Sequence, residues 1–192
     1  KDGLTYNFLD PANKIGHSHA DSFDKMKHNQ NTKMTKRDED EDLYRSHSYK
    51  IYFDKCNPDV TFTADSAFAG EENYFLGNDK SKWRKAVKSY KSITIRNIYK
   101  NIDFKLYQRK TSIKYDFIVH PGANPEDISL IVKGAQSLYL NNKGGISIIT
   151  SVNNIEESKP FAYQDEKEIK CKYLLSGTKF SYKLGNYDKN KI

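Results

Sequence analysis

The chain has 192 residues, of which 36% are hydrophobic, with 14 Tyr, 10 Phe and one Trp, and its formal net charge is +7. This length suits one domain, and the richness in aromatic residues favours amphipathic β-strands over helices. No apolar run approaches the roughly 20 residues of a membrane-spanning helix, so we expect no membrane insertion. Lysines mixed with acids indicate a solvated surface more simply than a site for an anionic partner such as nucleic acid, lipopolysaccharide or acidic polysaccharide, and we expect no nucleic-acid partner.

The first segment alternates apolar and polar residues over 4–9 and predicts a strand that Asp10-Pro11 ends. Residues 12–46 are rich in Asn, Lys, Asp and His, and 36–42 are nearly all charged. We expect a polar, charged insertion or extended loop within a single β domain that spans 1–192. His17 and His19 offer two imidazoles there without a third ligand, which favours a solvated loop over a metal site.

Strand patterns resume at residue 46 and recur to the end of the chain, separated by turn residues such as Asn57-Pro58. The run Asn141-Asn142-Lys143-Gly144-Gly145 predicts a hairpin turn, because Asn and Gly tolerate a positive φ. Residues 80–88 predict one or two helical turns with Asp79 as N-cap. The further predicted strands are 46–53, 60–64, 74–76, 92–99, 103–107, 112–119, 128–132, 137–140, 146–150, 159–164, 168–175 and 179–184. About a dozen short strands with little helix predict an all-β, antiparallel, sandwich-like fold.

Cys56 and Cys171 are the two cysteines. They could pair as a disulfide or be two small core residues, and the sequence leaves both possibilities open. Two isolated cysteines without a C-x-x-C spacing disfavour a zinc site.

Four aspartates, Asp79, Asp103, Asp116 and Asp188, are expected to have structural roles in turns, and we expect Asp79 and Asp103 to accept backbone N–H bonds. A calcium site is the alternative, but their spacing matches no recognised loop. Trp83 is expected to pack as an anchor over a sheet edge.

No nucleophile motif accompanies His47 or His120, and no phosphate-binding loop is present, so we expect no catalytic residue and no cofactor. Tyrosines interleaved with lysines, as in Tyr49-Lys50-Ile51-Tyr52, could stack bases or sugars, but amphipathic strands with Tyr inward and Lys outward are the simpler interpretation.

Short aromatic and turn motifs occur in a fixed order and together are typical of one family. Their residues are Asn73, Tyr74, Phe75, Gly77, Asp79, Trp83, Tyr99, Asp103, Tyr115, Asp116, Pro121, Gly122, Tyr163 and Gln164. Over roughly 44–192, with the first strand, the chain resembles the N-terminal all-β domain that precedes SBBP-type β-propeller or PKD-like repeats in large secreted or cell-surface proteins of Bacteroidota. It departs from the family at Tyr99-Lys100-Asn101-Ile102-Asp103, where the family usually shows Tyr-Pro-Gly-Ile-Asp.

The resemblance implies a fragment of a larger exported protein, placed extracellularly or on the outer-membrane surface and associated with type IX secretion. It implies a non-catalytic module that supports assembly or adhesion, with gliding motility as one setting, and gives the motif residues structural roles. The implied partners are protein first, as other domains of the polypeptide or subunits of a surface complex, and glycan second. The alternative is a carbohydrate-binding or carbohydrate-active domain.

Overall fold

The computed structural model describes residues 2–17, 42–110 and 112–192, and these ranges are all-β. Every strand pairing in them is antiparallel, which confirms the predicted fold class. The strands are β1 Gly3–His17, β2 Asp42–Phe53, β3 Thr61–Ala67, β4 Glu72–Tyr74, β5 Arg84–Val87, β6 Tyr90–Tyr99, β7 Ile102–Arg109, β8 Ser112–Val119, β9 Ser129–Lys133, β10 Ser137–Leu140, β11 Ile146–Ile149, β12 Asn154–Glu157, β13 Ala162–Gln164, β14 Lys167–Ile169, β15 Cys171–Ser176 and β16 Lys179–Leu184. Two 3-10 turns lie at Lys80–Lys82 and Pro125–Asp127.

The largest sheet has five strands in the order β1-β2-β9-β16-β15. Its outer part is a long ribbon of β1 and β2, in register from Gly3 opposite Tyr52 to Asp10 opposite Arg45. A Cβ at Gly3 would lie 2.1 Å from the carbonyl oxygen of Ile51, so only glycine allows this close approach of the two backbones.

The second large sheet has four strands in the order β3-β6-β7-β8. A three-stranded sheet of β10, β11 and β12 and two hairpins, β4 with β5 and β13 with β14, complete the described fold. At Asn97, which has a φ of 51°, β6 leaves regular register with β7 between Ile95 and Tyr99. This bulge turns the end of β6 towards the loop that follows β8.

A single aromatic and β-branched core joins the sheets. Phe53 of β2 meets Phe104 of β7 edge-on, with ring centroids 4.8 Å apart, and Phe117 of β8 meets Tyr182 of β16 at 5.8 Å. The buried hydrophobic side chains are Tyr49, Ile51, Phe53, Val60, Ile95, Ile98, Tyr99, Ile102, Phe104, Ile128, Leu130, Val132, Ile146, Ile148, Tyr173 and Phe180. They come from three sheets, so the chain buries one common core.

Three local predictions differ from the structure. The expected helical turns over 80–88 shorten to one 3-10 turn, because 84–87 form β5 and pair with β4. The strand expected at 168–175 is two strands, and β12 was not predicted because Asn154-Ile155-Glu156-Glu157 carries one apolar residue. The ends of the predicted 12–46 insertion belong to β1 and β2, while 18–41, with His19, lie outside the described residues.

Cys56 and Cys171 are both free and partly buried. Burial raises the pKa of the Cys171 thiol, against the lowering effect of Lys159. No helical segment in the described ranges is long and apolar enough to cross a membrane.

Candidate functional site

The most unusual feature of the molecule is a long exposed segment that begins with β3 and returns to the four-stranded sheet at the start of β6. Over residues 61–91, here called the ribbon, every residue is exposed except Trp83, Val87 and Ser89, which are half-buried. The β3–β6 pair continues outward into the β4–β5 hairpin, and the N–H of Phe68 donates to the carbonyl of Ser89 between them at 2.9 Å. A two-stranded ribbon without a covered face is marginal in water, so this one is held by the sheet from which it grows.

Strand register shows which face of the four-stranded sheet is apolar. Directly paired residues share a face, and one row runs across the sheet through Phe62, Ile95, Phe104 and Phe117. Phe104 is buried and contacts Phe53 of the five-stranded sheet, so this row lies on the core side.

The same face continues outward beyond the core. The next row runs through Ala64, Ile93, Leu106 and Tyr115, followed by Gln108 opposite Ile113. The exposed fractions are 51% for Phe62, 41% for Ile93 and 64% for Ile113. We call Phe62, Ala64, Ile93 and Ile113 the uncovered face. It is core-type surface that the second layer does not reach.

The outer edge of β3 adjoins this face. β3 is terminal in its sheet, and no strand within the described residues pairs with that edge. Its inner part, Thr61-Phe62-Thr63-Ala64, contains no charged residue and no Pro, which commonly block strand addition, whereas Asp65 places a charge on its outer part. The free edge therefore offers unpaired backbone groups beside an apolar surface.

The far end of the ribbon, residues 75–85, is here called the apex. Asp79 caps the 3-10 turn by accepting from the Ser81 N–H at 3.0 Å and its hydroxyl at 2.7 Å. Trp83 donates its indole N–H to the Gly77 carbonyl at 3.1 Å and meets Phe75 edge-on at 5.2 Å. These contacts give the apex a defined conformation without a buried core. Trp83 was predicted to pack over a sheet edge. In the structure it packs within the apex instead.

The family-motif residues at the start of this region are structural by their contacts. Asn73 accepts the N–H of Ala86 at 3.1 Å, and the Tyr74 hydroxyl donates to Glu72 at 2.5 Å. Gly77 has a φ of +69°, which favours glycine, and its carbonyl is the acceptor for Trp83. The motif therefore specifies the shape of the apex.

A second cluster centres on Asp103, which is buried. It accepts from the Asn97 N–H at 2.8 Å, from Arg96 Nη1 at 2.7 Å and from His120 Nε2 at 3.0 Å. Burial opposes its charge, but these three donors outweigh burial and lower the pKa of Asp103. The predicted backbone N–H bonds to Asp79 and Asp103 are confirmed. The contacts of Arg96 and His120 with Asp103 were not predicted, because these residues lie on different segments that only strand pairing brings together.

Neighbouring motif residues fix the same end of the core. The buried Tyr99 hydroxyl donates to the Ser129 carbonyl at 2.7 Å. Pro121 and Gly122 form the turn after β8, where Gly122 has a φ of +77° and the Asn101 side-chain amide donates to the Pro121 carbonyl. The Tyr99 bond links the four-stranded sheet to β9, and the Asn101 bond links two turns of the four-stranded sheet.

The remaining motif residues lie elsewhere. Asp116 accepts from the Tyr107 hydroxyl at 3.3 Å on the outer face of the sheet. Gln164 forms two bonds of 2.8 Å with the backbone of Asp188, and the exposed Tyr163 lies beside Phe161 with ring centroids 5.9 Å apart. The motif residues thus lie in several separate places and do not converge on one site.

Between the sheets lies a group of tyrosines with one carboxyl group. Glu157 of β12 interacts with Tyr115 of β8 and Lys114, and its charge acts on Tyr173 and Tyr182. Burial raises the pKa of Glu157, while Lys114 and the Tyr115 hydroxyl oppose that rise. Burial likewise raises the pKa of both Tyr115 and Tyr182 well above the ordinary tyrosine value. The neutral tyrosine hydroxyls and the Glu157 carboxyl group, whose ionisation burial disfavours, form a packed polar layer between the sheets.

Within the ranges that the structure describes, no three His, Cys, Asp or Glu side chains come together as a metal site. The four turn aspartates are accordingly dispersed. A shallow depression lined by Asp54, Tyr99, Ser129 and Lys179 contains an ion pair of 2.6 Å between Lys179 and Asp54. Its charged groups neutralise each other, which leaves the ribbon and the uncovered face as the candidate functional site.

The model of a family described as "Domain of unknown function (DUF7948)" matches residues 1–192. No curated protein and no solved structure matches the chain. The chain therefore belongs to the DUF7948 family.

Proposed function

We propose that this domain is a non-catalytic structural and interaction module, and that its uncovered face docks a folded protein. The partner is a neighbouring domain of the same polypeptide or a subunit of a surface complex. The observation that carries the proposal is that the apolar face of the four-stranded sheet continues beyond the core and stays exposed at Phe62, Ile93 and Ile113.

The energetic argument follows from hydrophobic burial. Complete transfer of such a side chain from water into an apolar contact is worth about 1.5–3 kcal/mol, so Phe62, Ile93 and Ile113, which are roughly half exposed, each gain about half of that on docking. Contiguous apolar surface beyond a core is characteristic of interaction sites. The free edge of β3 adds backbone donors and acceptors, so a partner strand could extend the sheet while its alternate side chains cover Phe62 and Ala64.

The groups that usually supply catalysis are already engaged in structural contacts. Asp103 binds both Arg96 and His120, and Lys179 binds Asp54. These pairings support a scaffold role. The domain would act by shape and backbone pairing rather than by transforming a substrate.

The resemblance described above supplies the proposed setting. The domain would lie at the N-terminal side of SBBP-type or PKD-like repeats in an exported protein of Bacteroidota, at the outer-membrane surface or outside the cell. Type IX secretion, adhesion and gliding motility are the processes that this setting suggests.

Site-specific photo-crosslinking in the full natural protein, in its own cells, tests the docking proposal. A photoreactive phenylalanine analogue replaces Phe62 or Ile113, and the exposed Tyr163 provides the control position. We expect both test positions to crosslink to one identified protein or domain, at mapped peptides, and Tyr163 not to do so. No crosslink at either test position, or the same products from Tyr163, would refute docking at this face.

Glycan binding is the second candidate, and one observation favours it. Phe161 and Tyr163 are both exposed, and their rings are tilted by only 33°. Two accessible ring faces can stack against the C–H groups of a sugar, as they stack against bases. A glycan array with the natural domain and a Phe161→Ser, Tyr163→Ser variant tests it. Binding that the variant lacks would favour this candidate, and equal binding by both would exclude this pair as the platform.

A further inference from the structure

The apex combines exposed apolar side chains with a concentration of positive charge. Phe75 is 50% exposed and Leu76 is 75% exposed. Residues 75–85 contain four cations, Lys80, Lys82, Arg84 and Lys85, and one acid, Asp79, so 4 − 1 gives a net charge of +3. This short stretch therefore holds a large share of the +7 of the whole chain.

We infer that the apex is an anchor for an anionic lipid surface, with Phe75 and Leu76 entering the headgroup region and the four cations binding phosphate groups. This inference goes beyond the proposed function, because it uses other residues and another class of ligand.

The geometry of the apex suits a ligand surface that offers both negative charge and hydrocarbon. Lys80 Nζ lies 5.8 Å from the centroid of Trp83, and Lys85 Nζ lies 5.8 Å from that of Phe75. The cations are thus held beside the apolar groups. Basic residues flanking exposed apolar ones are the pattern by which peripheral segments bind anionic lipids.

The shape of the apex favours a lipid surface over other anionic ligands. A nucleic acid or an acidic polysaccharide would satisfy the cations but would offer no apolar phase for Leu76, whose side chain projects from the end of a ribbon. The lone acid, Asp79, is engaged with the Ser81 N–H and lies 3.6 Å from Lys82 Nζ, so it is oriented towards the turn.

The conformation of the apex is set before it meets a ligand. The Trp83 indole binds the Gly77 carbonyl, and Arg84 Nη1 donates at 2.9 Å to the carbonyl of Ser81 and at 2.9 Å to that of Trp83. A preset apex loses little conformational entropy on binding. An aromatic residue with a polar N–H at this place also suits the boundary between water and hydrocarbon.

Trp83 gives the experiment its readout, because it is the single tryptophan of the chain. The natural protein is titrated with phosphatidylcholine vesicles that contain phosphatidylglycerol, with vesicles of phosphatidylcholine alone, and with heparin. We expect a blue shift of Trp83 emission and co-sedimentation with the anionic vesicles only. No binding, or the same emission shift with heparin, would overturn the inference.

Two variants and their matched controls separate the contribution of the apolar side chain Leu76 from that of the four cations to lipid binding. Leu76→Asp should weaken binding roughly tenfold or more, since it removes an inserted leucine. Changing the four apex cations to Gln should weaken it roughly 100-fold or more. The controls are Phe161→Ser and a variant with Lys167, Lys170, Lys172 and Lys183 changed to Gln, all exposed and outside the ribbon. Full binding by Leu76→Asp, or equal losses in the controls, would overturn the inference.

Circular dichroism checks that each variant is folded. Crosslinking from Phe62 or Ile113 should be unaffected by the apex variants. Loss of lipid binding with intact crosslinking, or the reverse, therefore shows which of the two proposals fails.

Discussion

Replacing Asp103 tests the contact that fixes the bulge of β6 to the end of β8. Asp103→Ala removes the acceptor for the Asn97 N–H, for Arg96 and for His120 at once. An orphaned N–H in a partly buried place costs about 1–3 kcal/mol. The Arg96 pair adds about 0–1 kcal/mol, because the Arg96 side chain is half exposed and turns to water. We expect a total loss of about 1–4 kcal/mol.

Urea and thermal unfolding followed by circular dichroism measure this loss. For a chain of this size about 2–4 °C of Tm accompanies each kcal/mol, so Tm should fall by roughly 2–16 °C. Asp103→Asn keeps an acceptor for Asn97 and should lose less. Asp116→Asn, at an exposed position bonded to Tyr107, is the matched control and should change stability by less than about 0.5 kcal/mol.

The pH dependence gives an independent check. The pKa of Asp103 lies below its ordinary value of 3.8, so the stability that it adds is present above that pH and is lost as pH falls through the folded-state pKa. The stability gap between the natural protein and Asp103→Asn should be constant near neutrality and shrink below about pH 4. A gap that is unchanged in acid, or Asp103→Ala as stable as the Asp116→Asn control, would refute the reasoning.

Three further predictions use the same unfolding assays. Phe104→Ala, in the buried contact with Phe53, should cost about 3–5 kcal/mol, whereas Phe161→Ala at an exposed position should cost under about 0.5 kcal/mol; similar costs would contradict the assigned core. Gly134→Ala should cost more than Gly177→Ala, because both have a positive φ but only at Gly134 would the new Cβ lie 2.9 Å from the Ser48 carbonyl oxygen; equal losses would speak against that close approach. The pKa of Glu157 is raised above its ordinary 4.5, so its favourable protonated form is lost as pH rises; Glu157→Gln should therefore raise Tm at neutral pH, with the gap closing towards pH 4.5, and a destabilised variant at neutral pH would contradict this sign.

The strands that bury one face were predictable from the sequence. Residues 92–99 and 112–119 alternate β-branched or aromatic residues with polar ones, and the structure makes them β6 and β8. The failure at 80–88 has a physical reason. Lys82 and Lys85 suit a helix by propensity, but pairing with Glu72–Tyr74 competes with that local preference and makes 84–87 a strand. Pairing between segments that are distant in sequence is not written in local periodicity.

Only one part of the candidate site, the apex, could be predicted from the sequence. The Asn73-to-Trp83 motif marked the apex, and its turn-forming residues, Gly77 and Asp79, could be recognised by type. The uncovered face could not be predicted, since Phe62 and Ile93 alternate with polar residues just as the buried Ile95 does. Alternation indicates that a strand has an apolar face, but whether another layer reaches that face depends on the dimensions of the neighbouring sheet.

The order of strands in the five-stranded sheet has a consequence for how the chain acquires its structure. β9 is the middle strand, and its neighbours β2 and β16 come from segments far before and after it in the chain. During synthesis from the N-terminus, β2 therefore stays without its inner neighbour until β9 has been made, and β9 stays without its other neighbour until β16 has been made. Assembly dominated by such distant pairings is slow, because each pairing closes a long loop of chain.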